Sequence, residues 1–337
     1  MKSLDNRSRI AMDHSHELTE IDVKRAADRI RGHIRTVSLA PADSAMIDGP
    51  ASVWMALEFM QHTGSFKARG AVNFLAAHLE DAAVPAMGVA IASGGNAGLA
   101  CAWACQRRGV PATVFLPEKT PRVKVDRLAR YGASVRMVGS TYADAAAACD
   151  EFAVSVGALK SHAFDHPDIA AGAGTLMAEI LERLPTVDTV VVAVGGGGLF
   201  AGIATAAAHY GIRVVGVEPQ NSRAFNAALA AGSPEPVQVD SIAADSLGAR
   251  TTTLMALNAA ARSDSRSVLV PDTAIVSARG LLWDQHRLAV EPGAATALAA
   301  IVTGAYRPEP GEVVCIVLCG ANADPADLAA LPDGRCR

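Results

Sequence analysis

The chain has 337 residues, of which 50% are hydrophobic and only 4% aromatic, and its formal net charge is −4. The length suits two domains or one large domain with an insertion, and a core of Ala, Val, Leu and Ile with 29 glycines suits an α/β protein with tight strand–helix packing. The slight charge without a basic stripe argues against a nucleic-acid partner, and no run of 18 uncharged apolar residues offers a membrane span.

The polar N-terminus does not read as a signal peptide, and residues 1–17 read as a flexible tail in which His14 and His16 are solvated. Cysteines 101, 105, 149, 315, 319 and 336 have no framework or metal-ligand spacing, so a reducing, cytoplasmic setting is expected, with no metal cluster. The first helix opens at Thr19-x-x-Asp22, a capping-box pattern, and its apolar side reads as Leu18, Ile21, Ala27, Ile30 and Ile34. A loop with Pro41 and Pro50 leads to a strand at 52–57. Thr63-Gly-Ser-Phe-Lys-Ala-Arg-Gly-Ala71 then opens a helix whose apolar positions 68, 71, 72, 75 and 79 repeat with helical spacing. The hydroxyls of Thr63 and Ser65 are the expected caps. Lys67 sits on the first turn, at the positive end of the helix dipole, where its charge loses roughly 0.3–1 kcal/mol. Position alone makes it a solvated surface lysine.

Strands at 88–92, 112–116 and 134–138 alternate with helices at 97–108, from Pro121 to Gly132, and at 141–156, which is the pattern of a small parallel sheet. A second series has a helix at 169–184, a strand at 189–194, a helix at 199–210 and a strand at 213–217. Helices at 222–231, 251–262, 272–288 and 293–305 and a last strand at 313–318 complete it. The expected fold is α/β with two lobes, each a mainly parallel twisted sheet covered by helices. Residues 18–80 and 157–330 would form the large domain and 81–156 the small one. Ligands in such folds sit at the carboxyl ends of the strands, here in the cleft between lobes.

Three strand-to-helix turns could carry chemistry. Gly195, Gly196, Gly197 and Gly198, followed by Leu199, stand between a buried strand and a helix. Four consecutive glycines are entropically expensive unless the backbone itself is used, and N–H groups opening onto a helix N-terminus make a phosphate cradle. The run lacks the spacing of a dinucleotide fingerprint, although Glu218 lies about 20 residues on, and it lacks the Gly-Lys-Ser/Thr of a triphosphate loop. Ser93, Gly94, Gly95, Asn96, Ala97 and Gly98 form a second turn, which can hold a carboxylate or be a plain Asn-capped turn. Cys319, after the last strand, is either a packing residue or a neutral hydrogen-bonding group in the cleft.

Taken together the segments resemble the fold type II pyridoxal-phosphate enzymes, specifically the serine/threonine dehydratase branch. The resemblance rests on Thr63–Ala71 with Glu58 and Gln61 upstream, Ser93–Gly98, the glycine run, Val217-Glu-Pro219, Asp245-Ser-Leu-Gly248, Val290-Glu-Pro-Gly293 and Cys319-Gly-Ala-Asn322, and covers about residues 18–325. It implies pyridoxal 5'-phosphate as cofactor. Lys67 would hold it and act as base at the substrate Cα, Phe66 would lie against its ring, Asn96 would bond the ring hydroxyl, and Gly195–Leu199 would hold its phosphate. Ser93–Ala97 would bind the substrate carboxylate, and Cys319 would face the ring nitrogen. A neutral thiol there makes a weaker electron sink than an acid would, which favours β-elimination over racemisation. The implied reaction is α,β-elimination from L-threonine or L-serine to a 2-oxo acid and ammonia, with the cofactor phosphate as the candidate acid for the leaving hydroxyl.

Two positions depart from related serine racemases. Gly94 stands where they carry a second acid/base serine, and Ala224 stands where they carry a cation-binding Asp, which leaves Glu218 a weak metal candidate. About 18 residues follow Cys319, so no regulatory domain is expected, and a homodimer is the family expectation. Competing readings are elimination from hydroxyaspartate, phenylserine or diaminopropionate, amino-acid racemisation, a nicotinamide-dependent oxidoreductase using Glu218, and a non-catalytic binding protein. The oxidoreductase reading leaves Lys67 unexplained.

Overall fold

The computed structural model describes residues 17–43, 51–324 and 326–329. Most of the expected tail, with His14 and His16, and Pro50 lie outside them. The chain builds two sheets. The larger contains β1 (Leu39–Pro41), β2 (Ser52–Ala56), β7 (Thr189–Ala193), β8 (Arg213–Pro219), β9 (Ser265–Val270) and β10 (Val313–Val317), in the order β1-β2-β10-β7-β8-β9. Only the β1–β2 pair in it is antiparallel. The smaller sheet is wholly parallel, with β3 (Val89–Ala92), β4 (Ala112–Leu116), β5 (Ser134–Met137) and β6 (Leu159–Lys160) in the order β5-β4-β3-β6. Parallel strands need crossovers that cover both faces, so β4 and β7 are buried at every position and read as continuous apolar runs.

Helix α1 (Glu20–Ile30) starts with the expected capping box, the Thr19 and Asp22 side chains each bonding the other's backbone. Its buried face differs from the expected one. Val23, Ala26 and Ile30 pack inward, whereas Ile21 is 61% exposed. Both sets fit a 3.6-residue period, and the packing against α6 (Pro167–Arg183), α2 (Lys67–Glu80) and α7 (Gly198–Ala208) selects the stripe. The sequence reading also missed β9, whose Ser265-Arg-Ser-Val-Leu-Val270 shows no clean alternation because both of its faces are partly covered.

Helix α2 (Lys67–Glu80) lies on the seam. Ala68, Ala71, Val72 and Leu75 join the core of the smaller sheet, together with α3 (Asn96–Arg107). The other side of α2 meets α6 and α1. Arg69 is fully buried there. Its Nε and Nη2 donate to Glu58 at 2.6 and 3.0 Å, and its Nη1 and Nη2 to Glu179 at 2.7 and 2.9 Å. Burial alone would penalise each of these charges heavily, so the cluster fixes the geometry at the start of α2.

Candidate active site

Segments that follow strands of both sheets meet at the strands' carboxyl ends, joined by the Glu291 segment before α12 (Pro292–Val302). After β2 the chain makes two short 3-10 turns, Glu58–Met60 and His62–Gly64, and enters α2 at Lys67. The expected hydroxyl caps do not form. Phe66 is the N-cap and makes no side-chain cap bond, while Thr63 Oγ1 and Ser65 Oγ are buried without a hydrogen-bond partner. Such orphaned hydroxyls disfavour a closed core and suit a polar cleft. The segment is clamped by the stretch after β10: Phe66 N–H donates to Cys319 O at 3.0 Å, and Ala321 N–H to Gly64 O at 2.9 Å. This brings Lys67 and Cys319 to one place although 252 residues separate them in the chain, the difference between positions 319 and 67.

The Lys67 amine donates to Ala163 O at 2.8 Å and stands 4.7 Å from the centre of the Phe66 ring. Burial lowers its pKa from the free-lysine value of 10.5 to about 8, against the opposing attraction of Cys319 and Glu291. Burial also pushes the Cys319 thiol well up, and the Glu291 carboxylate adds to the rise, so the sulfur stays protonated and neutral. A surface lysine is therefore the wrong reading. This one is half-buried, and its burial favours the neutral amine.

Asn96 is the first residue of α3, and Gly95 rather than Asn96 is the N-cap. The turn curls so tightly that a Cβ on Gly98 would lie 1.9 Å from Ser93 O, so only glycine fits. Among the described residues, the N–H groups of Gly94, Asn96 and Ala97 find no acceptor, and they open at a helix N-terminus. The Asn96 side chain is engaged within the protein: Nδ2 donates to Glu291 Oε1 and Oε2 at 2.9 and 3.1 Å, and Oδ1 accepts from Asn322 Nδ2 at 2.8 Å. Glu291 also accepts from Asn322 N–H at 3.2 Å, and burial raises its pKa. Sequence reasoning gave Glu291 and Asn322 no role. The Val290-Glu-Pro-Gly293 and Cys319–Asn322 segments carried the signal, since a Glu before Pro at a helix start invites a cap. Here Glu291 is the N-cap of α12 (Pro292–Val302) but makes no side-chain cap bond, because its carboxylate turns into the cleft.

The glycine run links β7 to α7 (Gly198–Ala208). Gly197 has φ +95°, which needs glycine, and Gly196 and Gly198 leave room for the Phe164 ring and backbone packed on them. Thr253 N–H and Thr252 Oγ1 donate to Gly196 O at 3.1 and 3.4 Å, fixing the loop from outside. Among the described residues the N–H groups of Gly195 to Leu199 have no acceptor, an arrangement that would suit an anion such as a phosphate. The half-buried lysine, the glycine turn and the neutral thiol together fit pyridoxal phosphate. Glu218 is not part of this group. Both of its oxygens accept from backbone N–H groups, Phe225 at 2.8 Å and Asn226 at 2.7 Å, at the start of α8 (Ala224–Ala231). Burial outweighs those two bonds and lifts its pKa to about 8.

Two α/β lobes with these turns at their strand ends are the architecture of fold type II pyridoxal-phosphate enzymes. Residues 30–320 match the family described as pyridoxal-phosphate dependent enzyme, and the chain belongs to that family. An L-threonine ammonia-lyase of Geobacter sulfurreducens is 35% identical over 304 residues, covering 90% of this chain and 75% of its own length. A phenylserine dehydratase of Ralstonia pickettii is 35% identical, covering 89% of this chain and 92% of its own. Among solved structures, maize serine racemase superposes with a TM-score of 0.86 at 27% identity, covering 93% of this chain and 96% of its own. The cofactor is thus pyridoxal phosphate. No helix among the described residues is long and apolar enough to cross a membrane.

Proposed function

We propose that this chain deaminates a small β-hydroxy amino acid, L-threonine or L-serine, by α,β-elimination: the water lost from the substrate is regained when the resulting imine is hydrolysed, so the net products are a 2-oxo acid and ammonia. The observation that carries the reading is the placement of a half-buried Lys67, held at 2.8 Å by Ala163 O and with its pKa lowered to about 8, beside a buried Cys319 whose backbone clamps Phe66 and whose thiol stays protonated. When bound, pyridoxal phosphate supplies the electron sink that makes a substrate α-proton acidic.

In this reading Lys67 Nζ takes the proton from Cα. A lysine is a useful base only where a fair share is neutral, and burial provides that share here. Ala163 O orients the amine through its 2.8 Å hydrogen bond. The N–H groups of Gly94, Asn96 and Ala97, with Ser93 and Gly95 shaping the turn, hold the substrate carboxylate. The backbone of Gly195–Leu199 holds the cofactor phosphate, and Phe66 and Asn96 fix the ring. Glu291 sets the direction of the Asn96 amide. Cys319 presents no charge, so negative charge at Cα is stabilised only briefly and prompt loss of a β-hydroxyl is favoured. Gly94 offers no second proton-transfer group, which argues against racemisation. The relatives named above support the lyase reading and keep phenylserine in the substrate range.

The test is the purified protein itself. It should be yellow, lose the colour in Lys67→Ala, and release 2-oxo acid from L-threonine or L-serine in a panel with phenylserine, hydroxyaspartate, diaminopropionate and D-serine. A protein that is colourless and cannot be reconstituted would sink the proposal. Conversion of L- to D-serine without 2-oxo acid would replace it with racemisation.

A further inference from the structure

Outside the cleft, three metal-ligating side chains converge where α2 ends and α6 begins. His78, His166 and Asp168 place one candidate ligand atom each within 4.8 Å of one another, and all three are half-buried. The juxtaposition is tertiary, since His78 is 88 residues from His166, the difference between the two positions. We propose that these side chains form a site for one divalent transition-metal ion.

The donor set is two imidazoles and one carboxylate, which selects borderline ions such as Zn²⁺ or Co²⁺ over Mg²⁺ or Ca²⁺. His78 Nδ1 lies 2.8 Å from Phe74 O in its own helix. That contact puts the proton on Nδ1, leaves the Nε2 lone pair free and fixes the ring, as carbonyl partners do for metal-bound histidines. His166 Nδ1 is 3.8 Å from Asp168 Oδ2. Adjacent ligands on a tetrahedral ion stand about 3.3 Å apart, so this pair needs only a small closure. His166 would exchange a 3.2 Å bond from Asp168 N–H for the metal. The Asp168 carboxylate otherwise faces Arg29, whose Nη1 is 3.9 Å from Oδ1, but Arg29 is held by Glu80 at 2.7 Å. One oxygen therefore stays available. The Asn73 side chain bonds Asp168 O at 2.7 Å, and the Phe74 ring meets His166 edge-on at 4.8 Å, so the cluster rests on a packed floor. A bound ion would join α2, which begins at Lys67, to the end of the 161–166 segment. That segment supplies Ala163 O to Lys67 and Phe164 to the glycine loop. The proposal does not depend on which amino acid the enzyme uses.

The experiment is a Co²⁺ titration of the cofactor-loaded full chain, with His14→Gln and His16→Gln in every sample so that the N-terminal histidines do not contribute. One equivalent of Co²⁺ should give the intense ligand-field absorption of a four-coordinate ion, displaced by Zn²⁺. His78→Gln and Asp168→Asn should each weaken binding at least about tenfold, with folding checked by circular dichroism and cofactor absorbance. Should one of the two variants not fold, the other decides. No saturable Co²⁺ spectrum, or equal affinity in a folded variant, overturns the site.

Discussion

Lys67 is held where its charge is unfavourable, and that has a consequence for stability. In the cofactor-free protein its pKa is about 8, against 10.5 for a free lysine. Each unit of that difference is 1.36 kcal/mol, so a charged Lys67 destabilises the fold by about 3 kcal/mol at neutral pH. The sign follows from proton counting. Between the folded and unfolded values the unfolded chain binds more protons, so stability rises with pH through that window. Below about 8 both states are charged and the penalty is complete; above 10.5 it has gone. Lys67→Met removes the charge while keeping a long apolar side chain, and it forfeits the bond to Ala163 O, worth about 1 kcal/mol. The net expectation is a cofactor-free variant more stable than the parent by about 2 kcal/mol at pH 7, with the advantage shrinking from pH 8 to 10.5. Urea unfolding of both proteins, stripped of cofactor, across that range measures it. A variant less stable at pH 7, or a difference that ignores pH, would refute the idea that burial of the charge is what makes this amine reactive.

Three further outcomes are expected. Arg69→Met leaves the buried Glu58 without its counter-charge and beside the half-buried Glu179, and should destabilise the protein by about 3–5 kcal/mol in denaturant unfolding, with Glu58→Gln recovering part of the loss; a loss below about 1 kcal/mol contradicts the buried cluster. Glu291→Gln keeps the shape but replaces the carboxylate that accepts twice from Asn96, so cofactor affinity should fall about tenfold and the cofactor absorbance should shift. Unchanged affinity and spectrum would show that Asn96 needs no orienting partner. Gly98→Ala puts a Cβ 1.9 Å from Ser93 O, which must open the turn proposed to hold the substrate carboxylate; KM should rise strongly while the cofactor stays bound, and a normal KM would place the carboxylate elsewhere.

Most of the alternation of strands and helices, the parallel sheets and the positions of the three strand-to-helix turns were legible in the sequence, because each is a local pattern, whereas the short β1 and β6 and the half-covered β9 were not. An apolar run followed by glycines, or by small residues and a helix, has few other meanings. Local pattern could not tell which stripe of α1 packs inward, since Ile21 and Val23 both satisfy the helical period and only the tertiary contacts with α6, α2 and α7 decide. It named Thr63 and Ser65 as caps by residue type, whereas the clamp from Cys319 and Ala321 fixes the start of α2 and leaves both hydroxyls without partners. Lys67 shows the division most clearly. The sequence placed it on a helix start and marked its charge as badly located. Burial where the distant Ala163 segment packs over the amine turned that handicap into a lowered pKa, against the pull of Cys319 and Glu291. Burial is a property of the assembled fold, so the residue's identity was local and its reactivity was tertiary.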